Sequence, residues 1–293
     1  SSLGRSSVRA VQRILPTILD TMLTRAVMPP ALTPVATVRF HRAARVLRRT
    51  IRNVIAQSRR DGESSSLTAR LMAARDPETG QSLTDVDVLD EDATMLFAGT
   101  ETTASTLAWA MDHLARHPEA EKRMRTEIDR VLGDRQVTYQ DVAKLKFTEA
   151  VVQEALRQHG VVLLMRRTHA PVTLSGVRIP AGTEVAFSLY AMHRDPAVYR
   201  DPDTFDPDRW SPEGRAAMCP HAHMPFGAGT RKCIGDRFSV VENVITLATL
   251  YQRGRFATVP GRPAPRERLA GLAGPDGVYL SWQPHARSER AAA

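Results

Sequence analysis

The sequence predicts a mainly α fold with a minor β sheet, and three observations carry that expectation. Apolar residues recur at helical spacing through most of the first 160 positions. The texture then shifts, over residues 172–189, to short β-rich runs divided by glycine and proline turns. A long stretch rich in Pro, Asp and Gly follows, over residues 190–235, before a last helical pattern. With 293 residues and 42% hydrophobic content, the chain can bury a sizeable core, as one large domain or two small ones.

The elements follow in order. Residues 8–26 carry a helical pattern that Pro29-Pro30 and Pro34 break. A second helix, strongly basic on one face, is expected over residues 38–60. Residues 61–66 read as a polar loop, and Asp76-Pro77-Glu78-Thr79-Gly80 as a turn. Thr84-Asp85-Val86-Asp87 then has the form of a capping box. The helix it starts meets no stop signal before Pro118, and residues 85–117 would span about 50 Å. His113, Arg116 and His117 lie in its last turns, where cations suit the helix dipole. More helix is expected over residues 119–132, briefly at 139–144, and over 146–159. Val172-Thr173-Leu174, a Ser175-Gly176 turn, Val177-Arg178-Ile179, Pro180-Ala181-Gly182 and residues 183–189 read as short strands and turns. The last helix is expected over residues 236–251.

Forty basic and 32 acidic residues leave a net charge of +8. All but Lys122, Lys144, Lys146 and Lys232 of the basic residues are arginines. This predicts a solvated surface or a basic face for an acidic redox protein. Nucleic-acid binding is not expected, since no basic run is interleaved with aromatics. Two cysteines, Cys219 and Cys233, make no disulfide framework, which points to a reducing compartment or to a cysteine kept for chemistry. No apolar stretch is long enough to span a bilayer. The start, Ser1-Ser2-Leu3-Gly4-Arg5, has neither an initiator methionine nor a signal-peptide pattern. A cytoplasmic protein without stable membrane insertion, beginning as if cut from something longer, is the expectation.

The long helix contradicts itself at its centre. Leu96-Phe97 and Leu107-Ala108-Trp109 are apolar enough to be buried, yet Ala98-Gly99-Thr100-Glu101-Thr102-Thr103 lies between them. Gly costs about 1 kcal/mol in a helix interior, and a buried carboxylate costs more unless paired. One reading is a helix opened at Gly99 for a ligand, with Thr102 supplying a hydroxyl and Glu101 a proton. The other is a back-bonded threonine and a salt-bridged Glu101.

A second constellation is Phe226-Gly227-Ala228-Gly229-Thr230-Arg231-Lys232-Cys233-Ile234-Gly235, followed directly by a helix. Its glycines allow a sharply turning backbone to lie flat against something planar. Arg231, Lys232 and the helix start favour the thiolate of Cys233. Cys219 lacks this setting and reads as structural. His221 and His223 have no second pair of metal ligands at finger-like spacing and read as loop surface. Glu154 and Arg157 stand three apart on one helix face. With Arg209 of Phe205-Asp206-Pro207-Asp208-Arg209-Trp210 they could form a cluster that locks the loop to the core.

Together these motifs resemble the cytochrome P-450 superfamily of heme-thiolate monooxygenases. Residues 98–103 match its central-helix oxygen-activation motif and 154–157 its Glu-x-x-Arg. Residues 205–210 look like its Phe-x-Pro-x-Arg element, and 226–235 fit its heme-binding signature. In detail the chain looks most similar to soluble bacterial members, including terpene hydroxylases of the pentalenene oxygenase type. The resemblance implies a cytochrome P-450 fold, incomplete at the N-terminus, over residues 1–293 as part of a single domain. Within it, residues 1–80 would supply helices of the distal side and 81–160 the long central and Glu-x-x-Arg helices. Residues 161–190 would hold the small sheet, and 191–293 the heme-binding loop, C-terminal helix and strands.

The resemblance further implies heme b as cofactor, with Cys233 as axial ligand to the iron and Phe226 and Gly227 beside it. Arg231 would contact a propionate, as would Arg166, with Arg167 the alternative. Thr102 would hydrogen-bond bound dioxygen and Glu101 would relay protons. Glu154, Arg157 and Arg209 would be structural. Ala98 and residues 162–164 would face substrate. The implied reaction inserts one atom of O2 into a small apolar, terpenoid-like molecule, with NAD(P)H electrons passed through a ferredoxin or flavoprotein reductase. Two other readings stay open: a peroxide-using heme-thiolate enzyme, which would not need Glu101 and Thr102, and a non-catalytic or heme-deficient fragment. The chain departs from the family at Gln158-His159-Gly160-Val161, one residue shorter than the usual proline-containing segment, and in lacking N-terminal sequence.

Overall fold

The computed structural model describes residues 34–61, 66–270 and 272–285. The expected helix over residues 8–26 and most of the polar loop, 62–65, lie outside them. The chain divides into two compact units, Ser1–Glu101 and Thr102–Ala293.

In the first unit, helix α1, Pro34–Asp61, starts earlier than expected, with proline where its missing N–H costs nothing. Ala43, Leu47, Ile51 and Ile55, four apart, form its buried stripe and meet Val88 and Leu89. The opposite face exposes Arg42, Arg45, Arg49 and Arg52. Helix α2, Leu67–Ala73, is capped by Ser66, whose Oγ accepts the Ala69 N–H at 3.1 Å. Helix α3, Asp85–Arg116, belongs to both units and opens on the expected capping box. Asp87 Oδ2 accepts the Thr84 N–H at 2.8 Å, and Thr84 Oγ1 accepts the Asp87 N–H at 3.3 Å.

The second unit is built around α4, Pro118–Leu132, and α5, Lys146–His159, with a 3₁₀ turn at Tyr139–Lys144. These pack with α8, Asp236–Tyr251, and the end of α3 around Leu114, Met124, Ile128, Val151, Val244 and Leu247, all fully buried. Between α5 and α8 lie only brief helical pieces, α6 (Leu189–Met192) and α7 (Pro212–Ala217), and 3₁₀ turns at Pro207–Trp210 and Gly229–Arg231.

Among the described residues the β part is four separate two-stranded antiparallel ladders rather than one small sheet. Strand β1, Leu163–Arg167, pairs with β4, Glu184–Ser188. Strands β2, Val172–Leu174, and β3, Val177–Ile179, match the expected short strands and pair as an antiparallel hairpin. Its turn residues Ser175 and Gly176 both have positive φ, 48° and 81°, as a two-residue turn between twisted strands requires. Strand β5, Gly254–Thr258, pairs with β8, Leu280–Pro284, and β6, Glu267–Ala270, with β7, Leu272–Pro275.

Candidate functional site

The cysteine loop turns back on itself through its own backbone. Phe226 O accepts the Cys233 N–H at 2.9 Å, and Met224 O accepts the Gly227 N–H at 2.9 Å. Gly227 and Gly229 have φ of +73° and +72°, where side chains are strained. A Cβ on Gly227 would also press on Leu164 Cδ1 at 3.4 Å. Gly235 differs: its φ is −89°, and a Cβ there would meet Cys233 Sγ at an ordinary 3.9 Å. Two of the three glycines are thus required by geometry. Phe226 packs on the core, whereas Cys233 is exposed. Beside it Ile234 and Phe238 are 82% and 70% exposed.

The two cations before Cys233 are used differently. Lys232 Nζ pairs with Asp236 at 2.5 Å and holds that carboxyl below its ordinary range, so its charge is directed at helix α8 rather than at the sulfur. Arg231 is exposed and has no hydrogen bond or ion pair among the described residues. Cys219 is a second exposed free thiol, outside this turn.

The loop is anchored by a buried charge cluster that unites all three residues expected of it. Glu154 Oε2 and Oε1 accept Arg157 Nε and Nη2 at 2.9 and 2.8 Å, with both side chains 0% exposed. Arg209 Nε donates to Glu154 Oε1 at 3.3 Å. Trp210 Nε1 donates to Oε2 at 3.0 Å, and the Asp206 N–H to Oε1 at 3.1 Å. A buried ion pair stabilises only when its remaining donors and acceptors are satisfied, and this carboxylate is saturated. Arg157 Nη1 continues to His193 O at 2.7 Å. His193 Nε2 then accepts the Met224 N–H at 3.1 Å, two residues before Phe226. Burial, then the charge of Arg157, lowers the His193 pKa to about 4, so the acceptor nitrogen stays bare at neutral pH. No sequence signal marked His193, which lies 36 residues from Arg157.

Three other expectations are revised. His223 is not loop surface: it hydrogen-bonds Gln153 Oε1 at 3.0 Å, packs tilted with its ring 4.2 Å from that of Trp210, and burial keeps it neutral. His113 is no dipole cation either. It lies 4.3 Å from the Phe205 ring, nearly parallel, and burial drives its pKa to about 2. Among the described residues, no group of three or more His, Cys, Asp or Glu side chains could hold a metal ion. Finally, the α3 segment at Gly99 is regular helix, with Ala98, Glu101 and Thr102 exposed and Thr103 buried. Thr100 Oγ1 back-bonds to Leu96 O at 2.6 Å, and Thr106 Oγ1 to Thr102 O at 3.0 Å. Glu101 needs no buried partner because it is not buried.

Strand β1 distinguishes the two arginines near the loop. Leu164, opposite Phe187, shares a strand face with Arg166, two residues on. Leu164 is also the residue against Gly227. Arg167 points the other way and pairs with Glu184, its Nε 2.7 Å from Oε1. Arg166 has no carboxylate partner among the described residues and donates to Met165 O at 2.8 Å. The loop carries Phe226, Arg231 and Cys233, and strands β1 and β4, which approach it through Leu164 against Gly227, carry Phe187 and Arg166: between them one soft thiol, apolar side chains and two guanidiniums without a carboxylate partner among the described residues. That donor set fits a flat, largely apolar cofactor carrying an iron and acidic side arms. No helix of the described residues is long and apolar enough to cross a membrane.

A family model described as Cytochrome P450 matches residues 5–279. The chain is 39% identical over 277 residues to cyclooctatin synthase of Streptomyces melanosporofaciens, covering 92% of this chain and 60% of that protein. It is 37% identical over 256 residues to pentalenene oxygenase of Streptomyces avermitilis, covering 85% of this chain and 57% of that protein. The crystal structure of the cytochrome P450DA heme domain superposes with a TM-score of 0.87 at 29% identity, over 96% of this chain and 62% of that one. The chain therefore spans 60% or less of the length of these curated relatives.

Proposed function

Because the chain belongs to the cytochrome P450 family, we propose that it carries the sulfur ligand and oxygen-side groups of a heme-dependent monooxygenase. The exposed Cys233, its backbone N–H held by Phe226 O, beside the exposed Ile234 and Phe238 and two residues from the exposed Arg231, is the observation that carries this reading. A bound heme b would supply the redox chemistry that activates dioxygen, with the electron-rich Cys233 thiolate as its protein ligand.

The chain's own residues do the rest. Cys233 Sγ would bind the iron, and Gly227 and Gly229, at positive φ, shape the turn without side chains. Arg166 and Arg231 hold the propionates, Arg166 favoured over Arg167 by its shared face with Leu164. On α3, the Thr102 hydroxyl hydrogen-bonds on the oxygen side and the exposed Glu101 carboxyl passes protons in from solvent. Glu154, Arg157 and Arg209 hold the loop rigid. Ala98 and residues 162–164 face substrate, which the likeness to pentalenene oxygenase supports as apolar and terpenoid-like. Electrons come from NAD(P)H through a ferredoxin or flavoprotein reductase, whose acidic surface meets the exposed Lys232 and Arg237. The two free thiols support a cytoplasmic setting.

The test is coupling in the full-length protein. Thr102→Ala should lower product formed per NAD(P)H consumed and raise released peroxide. Unchanged coupling removes the proton role of Thr102. Charge reversal at Lys232 and Arg237 should weaken low-salt binding of an acidic ferredoxin by about tenfold or more. No change sinks the docking face.

A further inference from the structure

We propose that Glu267 is a positioning residue for the cysteine site: it ties helices α5 and α6 to strand β6 and so fixes residues 160–166, which present Leu164 to the loop and carry Arg166 two residues further along the same strand face. The claim rests on the functional reading above, because it assigns a purpose to where that segment sits. Glu267 lies far from the cysteine in sequence and in none of the motifs.

Its carboxylate is a hub. Glu267 Oε1 lies 2.6 Å from His159 Nδ1, at the end of α5, and accepts Arg194 Nη2 at 3.0 Å. Oε2 accepts the Tyr190 hydroxyl of α6 at 2.5 Å. The Arg194 guanidinium also covers the Tyr190 ring at 3.8 Å, and its Nε lies 3.8 Å from Asp203. His159 is sandwiched rather than free to swing. Trp109 stacks on it at 3.7 Å and 7°, and His113 Nε2 lies 2.8 Å from its Nε2. With Glu267 accepting at Nδ1, the His159 proton is on Nδ1, and His113 donates to the bare Nε2.

The segment that follows His159 is bracketed by the elements this hub joins. Gly160 O accepts the Ala273 N–H at 3.1 Å, and Val161 bridges Leu272, both on β7, the partner of β6. Trp109 Nε1 donates to Ala273 O at 2.8 Å, so the ring that stacks on His159 also holds β7. On the other side Val162 O accepts the Tyr190 N–H at 3.3 Å. Residues 160–162 are therefore held by β7 and α6, and Glu267 binds β6 to α6 through one carboxylate. Two residues later Leu164 reaches Gly227, and two after that stands Arg166. Gly160 cannot stiffen this stretch by a side chain, since a Cβ there would fall 2.5 Å from Leu156 O. The stiffness is supplied from outside, by the carboxylate.

The experiment compares wild type, Glu267→Ala and Glu267→Gln in the full-length, heme-loaded protein, with Ile128→Val as a core variant of reduced thermal stability. Amide exchange is read at Tyr190 and Ala273, the two donors to the segment, and heme release by transfer to an apoprotein acceptor. Glu267→Ala should speed exchange at both amides by about tenfold and shorten heme retention, leaving α8 unchanged. Glu267→Gln, which keeps shape but not charge, should fall between. Ile128→Val should lower Tm without moving either local readout. Unchanged exchange at Tyr190 and Ala273 overturns the proposal, as does heme release no faster than in Ile128→Val. Absence of thiolate-ligated heme in wild type instead overturns the functional reading, while the exchange arm still decides whether Glu267 holds the segment.

Discussion

Replacing Glu154 by Gln changes one oxygen for one NH2 and almost nothing in volume, so its cost isolates the chemistry of the anchor. The carboxylate accepts five N–H groups: Arg157 Nε and Nη2, Arg209 Nε, Trp210 Nε1 and the Asp206 backbone. Whichever way the amide is set, its NH2 faces at least two donors that then have no acceptor. Arg157, 0% exposed in its side chain, also loses its counter-charge. Removing one partner of a buried pair costs about 3–5 kcal/mol. For a unit of this size each kcal/mol shifts Tm by roughly 2–4 °C, so the loss should be about 6–20 °C. Arg157→Met alone should cost a similar amount. The double variant, an apolar side chain beside a neutral amide, should cost clearly less than the sum, by about 2 kcal/mol. Thermal and urea unfolding of the three variants is the assay. A Glu154→Gln loss under about 1 kcal/mol, or strict additivity in the double variant, refutes the claim that a saturated buried ion pair anchors the loop.

Three further outcomes are expected. Folding holds the His193 pKa near 4 against an ordinary 6.5, so the unfolded chain binds more protons between those values. Stability is therefore fully present above pH 6.5 and falls as pH drops toward 4, by about 3 kcal/mol from this group. Urea midpoints from pH 7 to 4.5 should show the decline, and His193→Gln should flatten part of it, the partly buried His113 and His223 supplying the rest. Gly227→Ala should cost about 1–3 kcal/mol and exceed Gly229→Ala in unfolding experiments, because both are left-handed but only Gly227 also meets Leu164. Thr84→Ala should remove about 1 kcal/mol through loss of the α3 cap, read as fraying of the first turn by amide exchange.

Much of the fold was legible because it is written locally. Thr84 and Asp87 announce a helix start three residues apart, Ser175-Gly176 announces a turn, and the limits of α5 and α8 follow from apolar spacing between breakers. The cysteine turn was legible for the same reason, since two glycines at positive φ stand beside the residue they serve. What escaped depends on contacts distant in sequence. His113 looks like a helix-end cation until Phe205 covers it. His193 has no pattern of its own and gains its role only when Arg157 and Met224 meet it. Lys232 seemed to serve Cys233, but Asp236, one helical turn on, takes its charge. The strand pairings also escaped: short runs with one apolar face look alike whether they join one sheet or form four separate ladders.

The central claim is that Cys233 is the iron ligand, and the absorption spectrum of the reduced, carbon-monoxide-treated full-length protein tests it most directly. The account predicts the strongly red-shifted Soret band of thiolate ligation, lost in Cys233→His and retained in Cys219→Ser. A wild-type spectrum without that band, or one that survives in Cys233→His, contradicts it.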